Sequence, residues 1–124
     1  ARKNLAFAGR DGVAEVRTGA GIELLPKLAA EGGPPLDLSF IDADKPSNAD
    51  YFAWALKMTR PGGLIIVDNV VRGGAVIDEN GDASVQGVRR LAELIAAEPR
   101  VDATALQTVG DKGYDGLLVA LVKS

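Results

Sequence analysis

Residues 36–45 read Leu-Asp-Leu-Ser-Phe-Ile-Asp-Ala-Asp-Lys, and residues 64–69 read Leu-Ile-Ile-Val-Asp-Asn. Leu36 to Ile41 and Leu64 to Val67 are short apolar runs of strand length, and each ends in an aspartate, Asp42 in one and Asp68 in the other. Apolar strands that lack a polar face belong to sheets with helices on both sides. Between them, residues 48–59 read as a helix. Ser47 with Asp50 three residues on resembles a capping box, and Arg60-Pro-Gly-Gly63 ends the helix. Asp42 and Asp68 lie 26 residues apart, enough for a parallel strand–helix–strand crossover. Neighbouring strands would bring the two strand ends to roughly 5 Å from one another.

The rest of the chain extends this pattern. Ala1 to Gly9 reads as the end of a helix with Gly9 as its stop, and Val13 to Thr18 alternates as a strand does. Gly21 to Ala30 is helical, with Ile22, Leu25, Leu28 and Ala29 on one face. The glycine- and aspartate-rich stretch from Val70 to Ala83 reads as a mobile loop. Ser84 to Ala97 is an amphipathic helix striped by Val85, Val88, Leu91 and Ile95. Val101 to Val109 and Gly116 to Val122 read as an antiparallel hairpin turning through residues 111–113. The expected architecture is an open α/β sheet, mostly parallel, with an antiparallel C-terminal hairpin, in a single domain over residues 1–124.

Composition narrows the chemistry. The 124 residues contain no cysteine and no histidine. Thiolate nucleophiles, disulfides, imidazole bases and His or Cys zinc sites are excluded. Catalysis is left to carboxylates, Lys, Tyr, hydroxyls, amides or a bound cofactor, and any metal site must be oxygen-rich. The net charge of −3 argues against a nucleic-acid partner, which selects a basic face. No stretch has the length and apolarity of a membrane span and no signal-peptide pattern is present, so the expected location is the cytoplasm.

Ligands of open α/β sheets bind beyond the carboxyl ends of the strands, where Asp42 and Asp68 stand. With the amide oxygen of Asn69 they make a hard, anionic site suited to Mg²⁺, Ca²⁺ or Mn²⁺. Either aspartate alone reads as a polar strand end or a helix cap, whereas both together, with Asn69 attached to one, favour the site. Lys45, three residues past Asp42, is placed to act as a base beside a cation, and is otherwise an ordinary surface lysine. Gly19-Ala-Gly21 opens a helix with residues small enough for a ligand to approach the backbone. Asp44 is either a ligand contact or the start of a loop. Trp54 reads as core.

Phe40-Ile-Asp-Ala-Asp-Lys45, Pro61-Gly-Gly63 and Asp68-Asn69 together resemble the cation-dependent O-methyltransferases, the family of catechol and caffeoyl-CoA O-methyltransferases, and most closely its bacterial branch. The resemblance runs from Ala1 to Tyr114-Asp-Gly116. It implies a Rossmann-like methyltransferase sheet and methyl transfer from S-adenosylmethionine to one hydroxyl of a vicinal-diol, catechol-like acceptor. It implies a divalent cation, Mg²⁺ or else Ca²⁺ or Mn²⁺, on Asp42, Asp68 and Asn69. Lys45 would be the catalytic proton acceptor. Gly21, Asp42, Asp44 and Tyr51 would contact the cofactor. It also implies a small hydroxylated aromatic substrate and a homodimer. Gly73 stands where plant relatives place a substrate-contacting Asn. The family's glycine-rich first strand and the acidic end of its second are absent here. The expectation is therefore a part of a longer enzyme, truncated at its N-terminus, that binds cofactor poorly alone. Two rivals fit less well. A haloacid-dehalogenase-like phosphatase wants Thr or Val where Pro46 stands, and a receiver-like domain carries its Lys-Pro on a late strand. A non-catalytic remnant is the third alternative.

Overall fold

The computed structural model describes residues 1–111 and 113–123. Lys112, in the expected hairpin turn, lies outside the described residues. Four helices and four strands follow one another as α1 (Arg2–Phe7), α2 (Gly21–Ala30), β1 (Leu36–Ile41), α3 (Asn48–Met58), β2 (Thr59–Asp68), α4 (Ala83–Ala96), β3 (Val101–Gly110) and β4 (Gly113–Val122). Short 3-10 turns over Lys45–Ser47 and Arg72–Ile77 precede α3 and α4. The latter occupies much of the stretch expected to be a mobile loop.

The strands form one sheet in the order β1-β2-β4-β3. β1 and β2 are parallel, joined by the crossover through α3, and Ile41 pairs with Val67. The β2–β4 and β3–β4 pairs are antiparallel. The sheet is therefore mixed, with one parallel pairing among the described strands, because only one strand–helix–strand crossover joins sheet neighbours. Residues 60–63 do not separate α3 from β2 but lie within β2 as an irregularity, since Leu36 pairs with Thr59 and Leu38 with Leu64. Gly63 is required there, because a Cβ would lie 2.6 Å from Thr59 Cγ2 and 3.0 Å from the Asp37 carbonyl oxygen.

One side of the sheet carries the core. Ile41, Ile65, Val67, Leu118, Ala120 and Val122 point to it, and α3 and α4 cover it with Tyr51, Phe52, Ala55, Leu56, Val88, Leu91 and Ile95. Phe52 and Ile65 are fully buried. Helices were expected on both sides. Instead Leu38 and Phe40, on the opposite side of β1, are about half exposed, at 51% and 56%. The apolar pattern of β1 and β2 records what such strands are suited to bury, and among the described residues nothing covers that second side.

The amino-terminal region departs furthest from expectation. Residues 13–18 form no strand. A strand exists only by pairing, and no described strand lies beside this one. Its backbone is held instead by the Arg2 guanidinium, which donates to the Val16 carbonyl at 2.7 Å. Arg17 bridges the carboxylates of Glu15 and Glu31. Gly9 stops α1 as expected, with a left-handed φ of 63°. Ile22 is 40% exposed, whereas Leu25 packs against the core. Trp54 is half-buried rather than core, and the Lys57 ammonium sits 4.1 Å over its ring. None of the described helices is long and apolar enough to cross a membrane.

Candidate active site

The parallel register sets the site. Because Ile41 and Val67 are partners, Asp42 and Asp68 follow side by side at the carboxyl ends of adjacent strands, at the separation of neighbouring strands, about 5 Å. Past Asp42 the chain enters the turn over Lys45–Ser47 and then α3. This turn returns Lys45, which is buried, to donate from Nζ to Asp42 Oδ1 at 3.1 Å. The ammonium end of a buried side chain is thereby fixed at the end of β1.

α4 presses against this turn. A Cβ on Gly87 would lie 2.1 Å from the Lys45 carbonyl oxygen and 2.7 Å from Pro46 Cα. Arg90 donates to the Pro46 carbonyl at 3.1 Å. Gly87 is thus a residue that positions Lys45, and the sequence reading missed it. A glycine in the middle of an amphipathic helix was the available signal, since it is unfavourable there unless a close approach requires it.

Ser47 occupies the N-cap of α3, but its side chain makes no cap bond. The expected capping box is therefore not formed. Ser47 and Tyr51 instead hydrogen-bond the Asp44 carboxyl and hold it below its ordinary value, and the same bond with Asp44 raises the Tyr51 hydroxyl. Tyr51 donates to Asp44 through a short hydrogen bond. The ring of Tyr51 lies against Gly21, where a Cβ would come within 3.1 Å of Tyr51 Cε1. Gly21, Asp42 and Tyr51 line one open cleft of about 330 Å³ between α2, β1 and α3, whose other walls include Leu25, Phe40 and Ala55. The structure thus brings Gly21, Asp42, Asp44, Lys45 and Tyr51 into one neighbourhood.

Asn69 follows Asp68 directly at the end of β2. It lines a second cleft, of about 540 Å³, with Thr108, Tyr114 and Asp115 at the tip of the β3–β4 hairpin. Asp68 accepts the Asn69 backbone N–H at Oδ1, 2.8 Å away, and its other oxygen accepts no hydrogen bond from the described residues. Asn69 takes a left-handed φ of 59°, which ends β2 abruptly. Asp42 thus lines the first cleft, and Asn69, next to Asp68, lines the second.

The residues fit a divalent cation by the chemistry of their donors. Two carboxylates with unshared oxygens and one amide oxygen are hard ligands that leave room for waters or a chelating substrate. Among the described residues no group of three or more Asp, Glu, His or Cys side chains is arranged to hold a metal, so this two-carboxylate-and-amide set is the oxygen-rich one at the strand ends.

Comparison with known proteins identifies the family of the chain. The O-methyltransferase family model matches residues 1–121. A catechol O-methyltransferase of Niastella koreensis is 51% identical over 124 residues, which cover 99% of this chain and 56% of that protein. A catechol O-methyltransferase of Mycobacterium tuberculosis is 47% identical, with 99% of this chain and 54% of that protein covered. The chain spans about half the length of the curated relatives it matches. Among solved structures, an O-methyltransferase from Bacillus cereus in complex with SAH superposes with a TM-score of 0.95 at 57% identity, covering 98% of this chain and 56% of that one. The O-methyltransferase TomG from Streptomyces achromogenes, involved in tomaymycin synthesis and solved with SAM, gives 0.94 at 50% identity, covering 98% and 55%. The family match over nearly the whole chain and the similarity to these proteins show that the chain belongs to the O-methyltransferase family.

Proposed function

We propose that this chain carries the cation- and acceptor-binding part of an S-adenosylmethionine-dependent O-methyltransferase acting on small aromatic molecules with vicinal hydroxyls. The observation that carries the reading is the pairing of Ile41 with Val67, which sets Asp42 beside Asp68 with Lys45 bonded to the first. The catechol O-methyltransferase names of the relatives support the acceptor class, and the SAH and SAM complexes support the methyl donor.

Asp42, Asp68 and Asn69 would hold the cation. When bound, the cation supplies positive charge that favours the ionised form of an acceptor hydroxyl, and the sulfonium cofactor supplies the methyl group. The chain's own residues do the rest. Lys45 Nζ, fixed by burial and by Asp42, stands where the proton of an acceptor hydroxyl would be received. Asp44 and Tyr51, locked to each other, and Gly21, which keeps the cleft wall low, receive the cofactor on the β1 side. The hairpin tip around Tyr114 bounds the acceptor on the other side. Positioning of two reactants between the clefts supplies much of the rate.

The test is transfer of labelled methyl from S-adenosylmethionine to a panel of catechols, with Mg²⁺ and then with excess chelator. It is run on this chain and on a longer polypeptide that contains it. Chelator-sensitive transfer that is lost on Asp68→Ala is the expected result. Transfer that persists undiminished in chelator would refute the cation role.

A further inference from the structure

We infer that Asp115, outside the proposed ligand set, is the positioning residue that holds the Asp68-Asn69 elbow in its ligating shape; the inference rests on the cation reading above. Asp115 lies near the start of β4, 46 positions beyond Asn69 in the chain. Its Oδ1 accepts three backbone N–H groups, from Arg72 at 2.8 Å, Gly116 at 2.9 Å and Val71 at 3.1 Å. The Val70 N–H donates to the Gly116 carbonyl at 3.1 Å. The segment 70–72 is therefore stitched to β4 at three consecutive amides, two of them through one carboxylate oxygen.

That stitching acts on a backbone that would not hold its shape unaided. Asn69 and Arg72 are the described non-glycine residues with left-handed φ, at 59° and 55°; the first immediately precedes the stitched segment and the second closes it. Such conformations persist where surrounding bonds over-determine them. A cluster of N–H groups converging on one anion is a backbone nest, and here the anion is the protein's own carboxylate. Gly116 belongs to the same device. A Cβ there would lie 2.6 Å from the Leu106 carbonyl oxygen and 2.6 Å from Val71 Cγ2, so the Asp115-Gly116 pair is needed for β4 to approach the elbow.

The bonded backbone on both sides of Val70 fixes where Asn69 leaves β2. Partners of this kind, one bond removed from the metal, commonly govern affinity by 10- to 100-fold.

The experiment is Mn²⁺ titration of this chain, followed by the electron paramagnetic resonance signal of free Mn²⁺. The proteins are the parent, Asp115→Ala, Asp115→Asn, Asn69→Ala and the double variant Asn69→Ala with Asp115→Ala. Circular dichroism is recorded for each. Asp115→Ala should weaken Mn²⁺ binding about 10- to 100-fold. Asp115→Asn keeps an oxygen for the N–H groups and should fall between, so it carries the same comparison independently of the alanine variant. In the Asn69→Ala background the Asp115 substitution should add less than about twofold, because its action passes through Asn69. A purely electrostatic or global role would persist undiminished in that background and would overturn the inference. Parent-like binding in both Asp115 variants would overturn it alone, leaving the cation reading intact. No Mn²⁺ binding by the parent would overturn both.

Discussion

Gly87→Ala offers a test in which the expected sign is opposite to the local one. In the interior of an exposed helix, alanine is favoured over glycine by about 1 kcal/mol, so the substitution would ordinarily stabilise the protein. Here the added Cβ would lie 2.1 Å from the Lys45 carbonyl oxygen, 2.5 Å from its carbon and 2.7 Å from Pro46 Cα. All three are backbone atoms and cannot rotate away. Reaching an ordinary contact of 3.4 Å requires α4 and the Lys45–Ser47 turn to part by about 1.3 Å. Overpacking of this kind costs roughly 1–3 kcal/mol, and more where backbone must move. Because the opposing atoms are backbone, the upper part of that range, about 2–3 kcal/mol, applies, and against the propensity gain the net expectation is a loss of about 1–2 kcal/mol. A loss of that size lowers the thermal midpoint by several degrees, at roughly 4–8 °C per kcal/mol for a small domain.

The assay is urea unfolding followed by Trp54 fluorescence and far-ultraviolet circular dichroism. Gly33→Ala serves as control, since a Cβ there meets nothing within 4 Å and its effect should stay within about 0.5 kcal/mol. The substitution should also displace Lys45 from Asp42. A Gly87→Ala protein more stable than the parent would refute the claim that α4 is seated on the Lys45 turn.

Two further outcomes are expected. Asp82→Ala removes the carboxylate that accepts the Val85 N–H at 2.9 Å at the start of α4, and should cost about 1 kcal/mol in urea unfolding, as helix N-caps do. Glu98 is held down to about 2 by the Arg100 side chain and by its backbone N–H. Because the folded value lies below the unfolded one, the unfolded chain binds the extra proton. The stabilisation is complete above the ordinary glutamate value of 4.5 and is lost as pH falls towards about 2. The urea midpoint should fall over that window less steeply in Glu98→Gln than in the parent, and identical pH profiles would contradict the pairing.

Elements were legible wherever local patterns agreed with their neighbours. The helix from Gly21 to Ala30 and the strand from Leu36 to Ile41 follow from periodicity and flanking glycines and prolines, and the hairpin follows from two alternating runs around a turn. The candidate site was legible for a similar reason. Two apolar strands each ending in aspartate announce a cluster of carboxylates before any coordinate is known, and a crossover of this length announces a parallel pair. Val13 to Thr18 shows the opposite case, because alternation is a property of one segment and a strand is a property of two. Ser47 likewise had the spacing of a capping box, but its side chain serves Asp44 instead.

The sequence by itself determined the chemistry available to this protein. Without cysteine or histidine, an oxygen-rich site with a lysine beside it was what the strand ends offered. Only the tertiary structure decided how those residues meet. The Ile41–Val67 register placed Asp42 beside Asp68, the seat of α4 at Gly87 held the Lys45 turn, and Asp115, 46 positions beyond Asn69 in the chain, bound the elbow after β2. These are contacts between segments remote in sequence. Their geometry depends on how strands pair and helices pack, which no local pattern of residues encodes.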